Sequence, residues 1–248
     1  MRILMIGGSG YVGSLILPGL ADAGHEVRVL DPVAPRGNLD WVPGSATDPA
    51  ALGVALRGTE AVIHAAMTPL VLDQGPEPAG SFSALVASAF TTLDAAGRAG
   101  VTRAVLISTM SVFASEPVPL PDRDLDETSQ PDAFDVYGMA KRLAEFVGQA
   151  AAQAHGMTIT ALRIAWPTTE AAWPAWALPI YPEPRVIRRA DGTAVPALAA
   201  SDLTAAVLAA LDRDGGFDVF HILGDDGSGR CCTTAKARAH LGWQPKRR

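Results

Sequence analysis

Cysteine is nearly missing from this chain of 248 residues: the only two, Cys231 and Cys232, are adjacent and cannot staple distant segments. A disulfide framework is therefore excluded as a source of stability. Positive charge is also scarce. Lys and Arg number 20 against 26 acidic residues, and the formal charge of −6 leaves no basic field for nucleic acid. No apolar run approaches the ~18 residues of a membrane-spanning helix. The Gly7-Gly8 pair interrupts the N-terminus before a signal-peptide core could form, so a cytoplasmic protein with no membrane partner is expected. His25, His64, His155, His221 and His240 lie far apart without paired helical spacing, so no metal site is expected. Apolar residues, by contrast, make up 48% of the chain, enough to bury a full α/β core.

Those apolar residues are organised. Strand-like runs near 2–6, 26–30, 39–43, 61–64, 104–108, 158–164 and 219–223 alternate with helical stretches near 12–23, 49–57, 82–99, 135–154 and 201–211. Such alternation predicts an α/β fold, a doubly wound parallel sheet covered on both faces. Ser201 or Asp202 suits the N-cap of the fifth helix, and Gly242 follows a last helical run at 234–241. One stretch breaks the pattern. Between Trp166 and Pro196 lie three tryptophans (166, 173 and 176) and six prolines, too irregular for a strand or helix core. Ligands of open sheets bind beyond the carboxyl ends of the strands, where this stretch leaves the sixth strand, so it is expected to be a substrate lid. The expected division is a dinucleotide-binding domain, 1–165 completed by 201–223, with a small, shortened substrate-binding part from 166–200 and 224–248.

Residues Gly7 to Gly13 read Gly-Gly-Ser-Gly-Tyr-Val-Gly directly after the apolar run Ile3 to Ile6. That is the spacing of a dinucleotide-phosphate cradle. Gly7 permits the tight turn, Gly10 lets the backbone approach a pyrophosphate, and Gly13 lets the following helix pack on the strand. The helix opening at Tyr11-Val12 points its positive end at the phosphates. Asp31, at the end of the second strand, can accept hydrogen bonds from the two ribose hydroxyls of the adenosine half, which favours NAD over NADP. It also precedes Pro32, where an aspartate can simply make a turn.

Tyr137 and Lys141 stand four apart in a helical segment, so both side chains emerge on one face. In a chain with three tyrosines and three lysines the pairing is informative. A phenol that acts as a base at neutral pH needs about 4 kcal/mol of preferential phenolate stabilisation. A nearby ammonium and a nicotinamide cation are the groups able to supply it. The fifth strand ends in Ser108-Thr109-Met110-Ser111, where a hydroxyl beside the cofactor can orient a substrate oxygen.

Gly7-x-x-Gly10-x-x-Gly13, Asp31, Val62-Ile63-His64-Ala65-Ala66, Ser108-Thr109-x-Ser111-Val112-Phe113, Tyr137-x-x-x-Lys141, Leu162-Arg163 and Leu241-Gly242-Trp243-x-Pro245 occur in family order. Over essentially its whole length the chain resembles the extended short-chain dehydrogenase/reductases of the NAD-dependent epimerase/dehydratase group. The resemblance implies Thr109 as the catalytic hydroxyl, Tyr137 as general acid/base, and Lys141 as the group that lowers the phenol pKa and holds the nicotinamide ribose. It implies NAD contacts at Gly7, Gly10, Tyr11, Val12, Gly13, Asp31, Ser45, Ala65, Ala66, Ser108 and Lys141; substrate contacts are expected at Ser111 and, from the irregular stretch after the sixth strand, at Trp166 and Arg185. The chain also departs from the family pattern. Ser45 stands where an aspartate usually contacts adenine, Leu85 or a neighbour stands where an active-site asparagine is expected, and Ala165-Trp166-Pro167-Thr168-Thr169 replaces Asn-Val-Tyr-Gly-Pro.

With so little chain outside the sheet, a small hydroxyl or ketone substrate such as a sugar or sugar acid fits better than a nucleotide sugar. Met110-Ser111 supplies none of the acids that elimination requires. Three functions stay open: an NAD-dependent oxidoreductase, a sugar epimerase, and a dinucleotide-binding protein without turnover. At least one of Arg163, Arg185, Arg188 and Arg189 is expected to clamp an anionic substrate, although Arg163 could equally brace the sheet. Apolar residues on more than one face of the helices near 82–99 and 135–154, among them Phe82, Leu85, Phe90, Leu143, Phe146 and Val147, point to a homodimer.

Overall fold

The computed structural model describes residues 1–67, 78–113, 125–179, 181–189, 191–225 and 232–246; Cys231 lies outside the described residues. Seven parallel strands form one sheet: β1 (Arg2–Ile6), β2 (Glu26–Asp31), β3 (Asp40–Pro43), β4 (Ala61–His64), β5 (Arg103–Thr109), β6 (Thr158–Ile164) and a last strand, Phe217–Ile222. Their spatial order places β3, β2, β1, β4, β5, β6 and then the last strand side by side. The order reverses at β1, so β1 and β4 flank the crevice in which open sheets bind ligands.

Alternation along each strand builds two cores. Ile3 and Met5 of β1 and Val105 and Ile107 of β5 face α1 (Tyr11–Asp22) and the helix Ala200–Asp212, meeting Ile16, Leu20, Leu203 and Val207. Leu4 and Ile6, with Ala104 and Leu106, face α2 (Pro49–Ala55), α3 (Pro78–Arg98) and α4 (Val136–His155), meeting Leu52, Leu93, Ala96 and Ala151. Apolar side chains on both faces are why these strands read as unbroken apolar runs. Parallel register then aligns their ends. Ile6 lies opposite Leu30 and His64, and Thr109 opposite Ile164, so Gly7, Asp31, Ala65, Met110 and Ala165 leave the sheet at one edge.

Two local expectations change. The helix expected at 201 begins at Ala200, and neither Ser201 nor Asp202 caps it. The Ser201 amide donates to Glu170 (2.7 Å), while Asp202 accepts the Lys246 amide on its carboxylate and the Trp243 indole on its carbonyl, both at 2.9 Å. That pairing, with Trp243 and Ala237 in the sheet core, packs the helix Ala235–Leu241 against the main domain. The segment after β6 also has more order than its prolines suggest. It contains β7 (Pro167–Thr168), β8 (Trp176–Leu178), β9 (Tyr181–Arg185), β10 (Ile187–Arg188), β11 (Ala194–Val195) and β12 (Leu198–Ala199). Each pairs once: β8 with β9, β10 with β11, and β7 with β12. In a two-stranded ribbon the outward backbone groups need no partner, so Pro182 and Pro184 fit within β9.

Candidate active site

The glycine turn sits at the sheet's carboxyl edge. The Gly7 amide donates to the Leu30 carbonyl (3.1 Å) and φ there is +80°; an added Cβ would lie 2.6 Å from the Ala66 backbone. A Cβ on Gly13 would strike the Gly7 carbonyl and come within 2.7 Å of the Gly8 Cα. Gly10 is different: its Cβ would meet nothing nearer than the Gly7 carbonyl at 3.3 Å, so its outer side is open. Tyr11 and Val12 open α1 directly behind it, with Gly10 as an N-cap that makes no side-chain bond. The Asp31 carboxylate is held there by backbone amides, accepting from Ser9 (3.1 Å) and from Val33 (2.9 Å). It thus makes the turn before Pro32–Val33 and also abuts the glycine turn. Ser45 follows β3 on the same edge, exposed, with its hydroxyl against Thr47 (2.8 Å). Ala65 is anchored to β1 through the Ile6 carbonyl (2.9 Å).

Across the β1/β4 crevice stand the reacting groups. Asp135 caps α4 by accepting the Gly138 amide (2.9 Å), which sets Tyr137 in the first helical turn. The Thr109 hydroxyl contacts the Ser111 hydroxyl and accepts the Ser111 amide, both at 3.1 Å, and it acts on the Tyr137 phenol, lowering its pKa. Thr109, Ser111 and Tyr137 therefore form one hydroxyl cluster, with Ser111 exposed on the short 3-10 turn Met110–Val112. Burial pushes the Tyr137 phenol up to about 12, against a smaller lowering from the Thr109 bond. The ammonium of Lys141 lies 5.9 Å from the phenol ring centre and donates to the Ile107 carbonyl (2.8 Å). Burial brings Lys141 down to about 8, while Glu145 pulls it back up. In the protein alone, desolvation outweighs every other influence on the phenol, which stays protonated at neutral pH.

Glu145, which the sequence reading missed, sits one turn after Lys141 on α4. Its signal was present in the i,i+4 spacing, but an acid in a helix usually marks a solvated face. Here it is buried. It accepts the Ser108 hydroxyl (2.6 Å) and a two-point contact from Arg163, Nε at 3.0 Å and Nη2 at 2.8 Å. The Ser108 hydroxyl is thereby committed inside the protein. Arg163 braces α4 against β6, with its guanidinium 5.1 Å over the Phe113 ring, and is not an anion clamp. Arg188 donates to the Gly192 carbonyl (2.9 Å); Arg185 and Arg188 are both exposed and Arg189 is half-buried. His64 ends β4 fully enclosed; burial first and the Lys141 ammonium second bring it down to about 3, so it is neutral.

Trp166, at the end of β6, is the one non-glycine among the described residues with positive φ (45°). Its carbonyl accepts the Leu198 amide (3.0 Å), and its half-buried side chain packs on the cluster of Met110, Val112, Phe113 and Leu223. A bulky residue held in that region marks a position over-determined by its surroundings. Among the described residues no group of His, Cys, Asp and Glu could hold a metal, and no helix is long and apolar enough to cross a membrane.

Known proteins are similar to this chain. The UDP-glucose 4-epimerase of Corynebacterium glutamicum is 32% identical over 170 residues, 66% of this chain and 50% of that enzyme. The chain spans about half the length of the curated relatives it matches. Among solved structures, a short-chain dehydrogenase/reductase superfamily protein from Agrobacterium tumefaciens with bound NAD superposes with a TM-score of 0.79 at 21% identity, covering 99% of this chain and 93% of that one. A Thermotoga maritima UDP-glucose 4-epimerase with UDP-glucose gives 0.77 at 22%, covering 99% and 94%. Those two likenesses support the seven-stranded fold. The family model for NAD dependent epimerase/dehydratase proteins matches residues 3–222, from the first strand through the last, and with the glycine turn, the hydroxyl cluster and Lys141 inside that span the chain belongs to this family.

Proposed function

We propose that the protein is an NAD-dependent oxidoreductase acting on a small hydroxyl or ketone substrate such as a sugar or sugar acid. The observation that carries this reading is the Thr109–Ser111–Tyr137 hydroxyl cluster standing beside Lys141 at the edge that holds the glycine turn. The residues fit a dinucleotide: the turn is closed to any Cβ at Gly7 and Gly13 yet open at Gly10, and the N-terminus of α1 faces it. Asp31 beside Ser9 supports NAD over NADP, since its carboxylate would repel a 2′-phosphate.

The phenol, protonated at neutral pH, is poised to give its proton to an oxygen gaining negative charge, and takes one back in the reverse direction. Thr109 holds that phenol, and Ser111 offers a second hydroxyl to the same substrate oxygen. Lys141 supplies positive charge near the forming phenolate. Bound NAD supplies the two-electron acceptor or donor. Trp166 walls the substrate side, and Arg185, exposed on β9, is a candidate for contact with an anionic substituent.

A sugar epimerase is the second reading, favoured by the match to UDP-glucose 4-epimerases. Incubation with NAD and a panel of small sugars, sugar acids and UDP-sugars separates the two. Net NADH formation supports the oxidoreductase, and stereochemical inversion without it supports the epimerase. In either case Tyr137→Phe should lower turnover by about a hundredfold or more, the usual worth of one proton-transfer group, with NAD affinity nearly unchanged. A wild-type-like rate in this variant would overturn the assignment of Tyr137.

A further inference from the structure

We propose that Glu145 is a positioning residue for this site, holding Lys141 in its charged form while tying the ends of β5 and β6 to α4. The inference rests on the reading of Tyr137 and Lys141 given above and deepens it.

A buried ion pair is a poor source of stability, because desolvation of both charges consumes most of their attraction. The side chains of Glu145 and Arg163 are only 9% and 4% exposed, so the pair needs another reason to be there. Its geometry supplies one. Ser108, immediately before Thr109, donates to Glu145; Arg163, immediately before Ile164, which faces Thr109 in register, donates twice. One carboxylate therefore sets α4, which carries Tyr137 and Lys141, against the strand that carries Thr109.

The same carboxylate acts on charge. Lys141 and Glu145 both line one cavity of about 10 Å³, together with His64, Leu85, Leu106, Ile107, Ser108 and Ala144. The ionisable groups around the ammonium can be counted by element. Tyr137 and Glu145 come from α4, neutral His64 from β4 and Arg163 from β6 behind Glu145, while β5 offers the Ile107 carbonyl and the Ser108 hydroxyl and α3 offers the apolar Leu85. Among the described residues Glu145 is the single anion in that set. Burial disfavours the charged form of Lys141, and Glu145 opposes this.

The chain has three lysines, Lys141, Lys236 and Lys246, so its lysine side-chain carbons can be titrated individually by NMR after ¹³C-lysine labelling. Loss of one signal in Lys141→Arg assigns the resonance. The wild-type midpoint should lie near about 8. In Glu145→Gln it should fall by about one pH unit, the low end of what removing a close opposite charge does. Since Glu145→Gln leaves Arg163 buried and unpaired, the double variant Glu145→Gln with Arg163→Met removes both charges and should show a fall in the same direction but smaller, because loss of the Arg163 cation behind Glu145 partly offsets loss of the anion. A midpoint that stays at the wild-type value in either folded variant overturns the proposal, as does failure of both variants to fold, which would make the pair purely structural. No substrate enters this titration. Its failure is therefore distinct from failure of the proposed reaction, which the Tyr137→Phe assay reads.

Discussion

The Tyr11 hydroxyl donates to the Ala177 carbonyl at 2.6 Å, across 166 residues of sequence. Tyr11 is the first residue of the helix behind the glycine turn, and Ala177 lies in β8 of the segment that follows β6. The Pro167 carbonyl stands 3.3 Å from the same hydroxyl, and burial raises the pKa of this phenol. The helix behind the glycine turn and the segment that follows β6 therefore share a hydrogen bond.

Tyr11→Phe removes that bond and little else. Amide exchange in 167–178 should become faster, with the rest of the sheet unchanged, and the loss in global stability should be about 1 kcal/mol. Hydrogen-exchange mass spectrometry measures this. Unaltered exchange in the segment would show that other contacts hold it.

The glycine turn separates packing from ligand approach. Gly13→Ala must push against the Gly7 carbonyl and the Gly8 backbone, and overpacking of this kind costs about 1–3 kcal/mol. Gly10→Ala meets only the Gly7 carbonyl at 3.3 Å. Thermal melting should thus drop clearly for Gly13→Ala and little for Gly10→Ala, while calorimetric titration should show NAD affinity reduced in both.

The pH dependence follows from Lys141. Its ammonium, ordinarily lost near 10.5, is lost near about 8 because burial disfavours the charge. Carbonyl reduction, which uses a protonated phenol and a charged lysine, should be level below about 8 and fall above it. Lys141→Arg keeps its charge at every accessible pH. Whatever activity that variant retains should show no decline near 8, as measured by initial rates across the range.

Helices α3 and α4 leave large apolar groups in water: Phe90 is 57% exposed and Phe146 66%, with Leu143 and Met139 beside them on α4 at 39% and 38%. Leu85, from the same expected set, is instead buried against the sheet side. We propose a homodimer through the exposed residues. Light scattering at micromolar concentration should give twice the chain mass, and Phe146→Glu should return it to that of a single chain without lowering the helix content seen by circular dichroism.

Much of this was written locally. Ile3 to Ile6 and Ala104 to Ile107 are apolar at every position, and only a strand covered on both faces tolerates that. Gly7, Gly10 and Gly13 stand at the offsets that a tight turn, an open approach and a close helix demand. Tyr137 and Lys141 share a helix face by spacing alone. Near neighbours constrain all of these, so the strand ends were legible to within a residue or two.

Long-range pairing was a different matter. Glu145 reads as an ordinary helix acid until Ser108 and Arg163 close on it, and Asp202 reads as a cap until Trp243 and Lys246 arrive from the far end of the chain. Arg163 could brace or clamp with equal sense in one dimension. Periodicity and turn chemistry depend on residues a few positions apart and survive in the linear text. Desolvation and charge pairing depend on which distant groups the folded sheet brings to the same few ångströms, so the ionisation of Tyr137, His64 and Lys141 was settled only once the chain had closed around them.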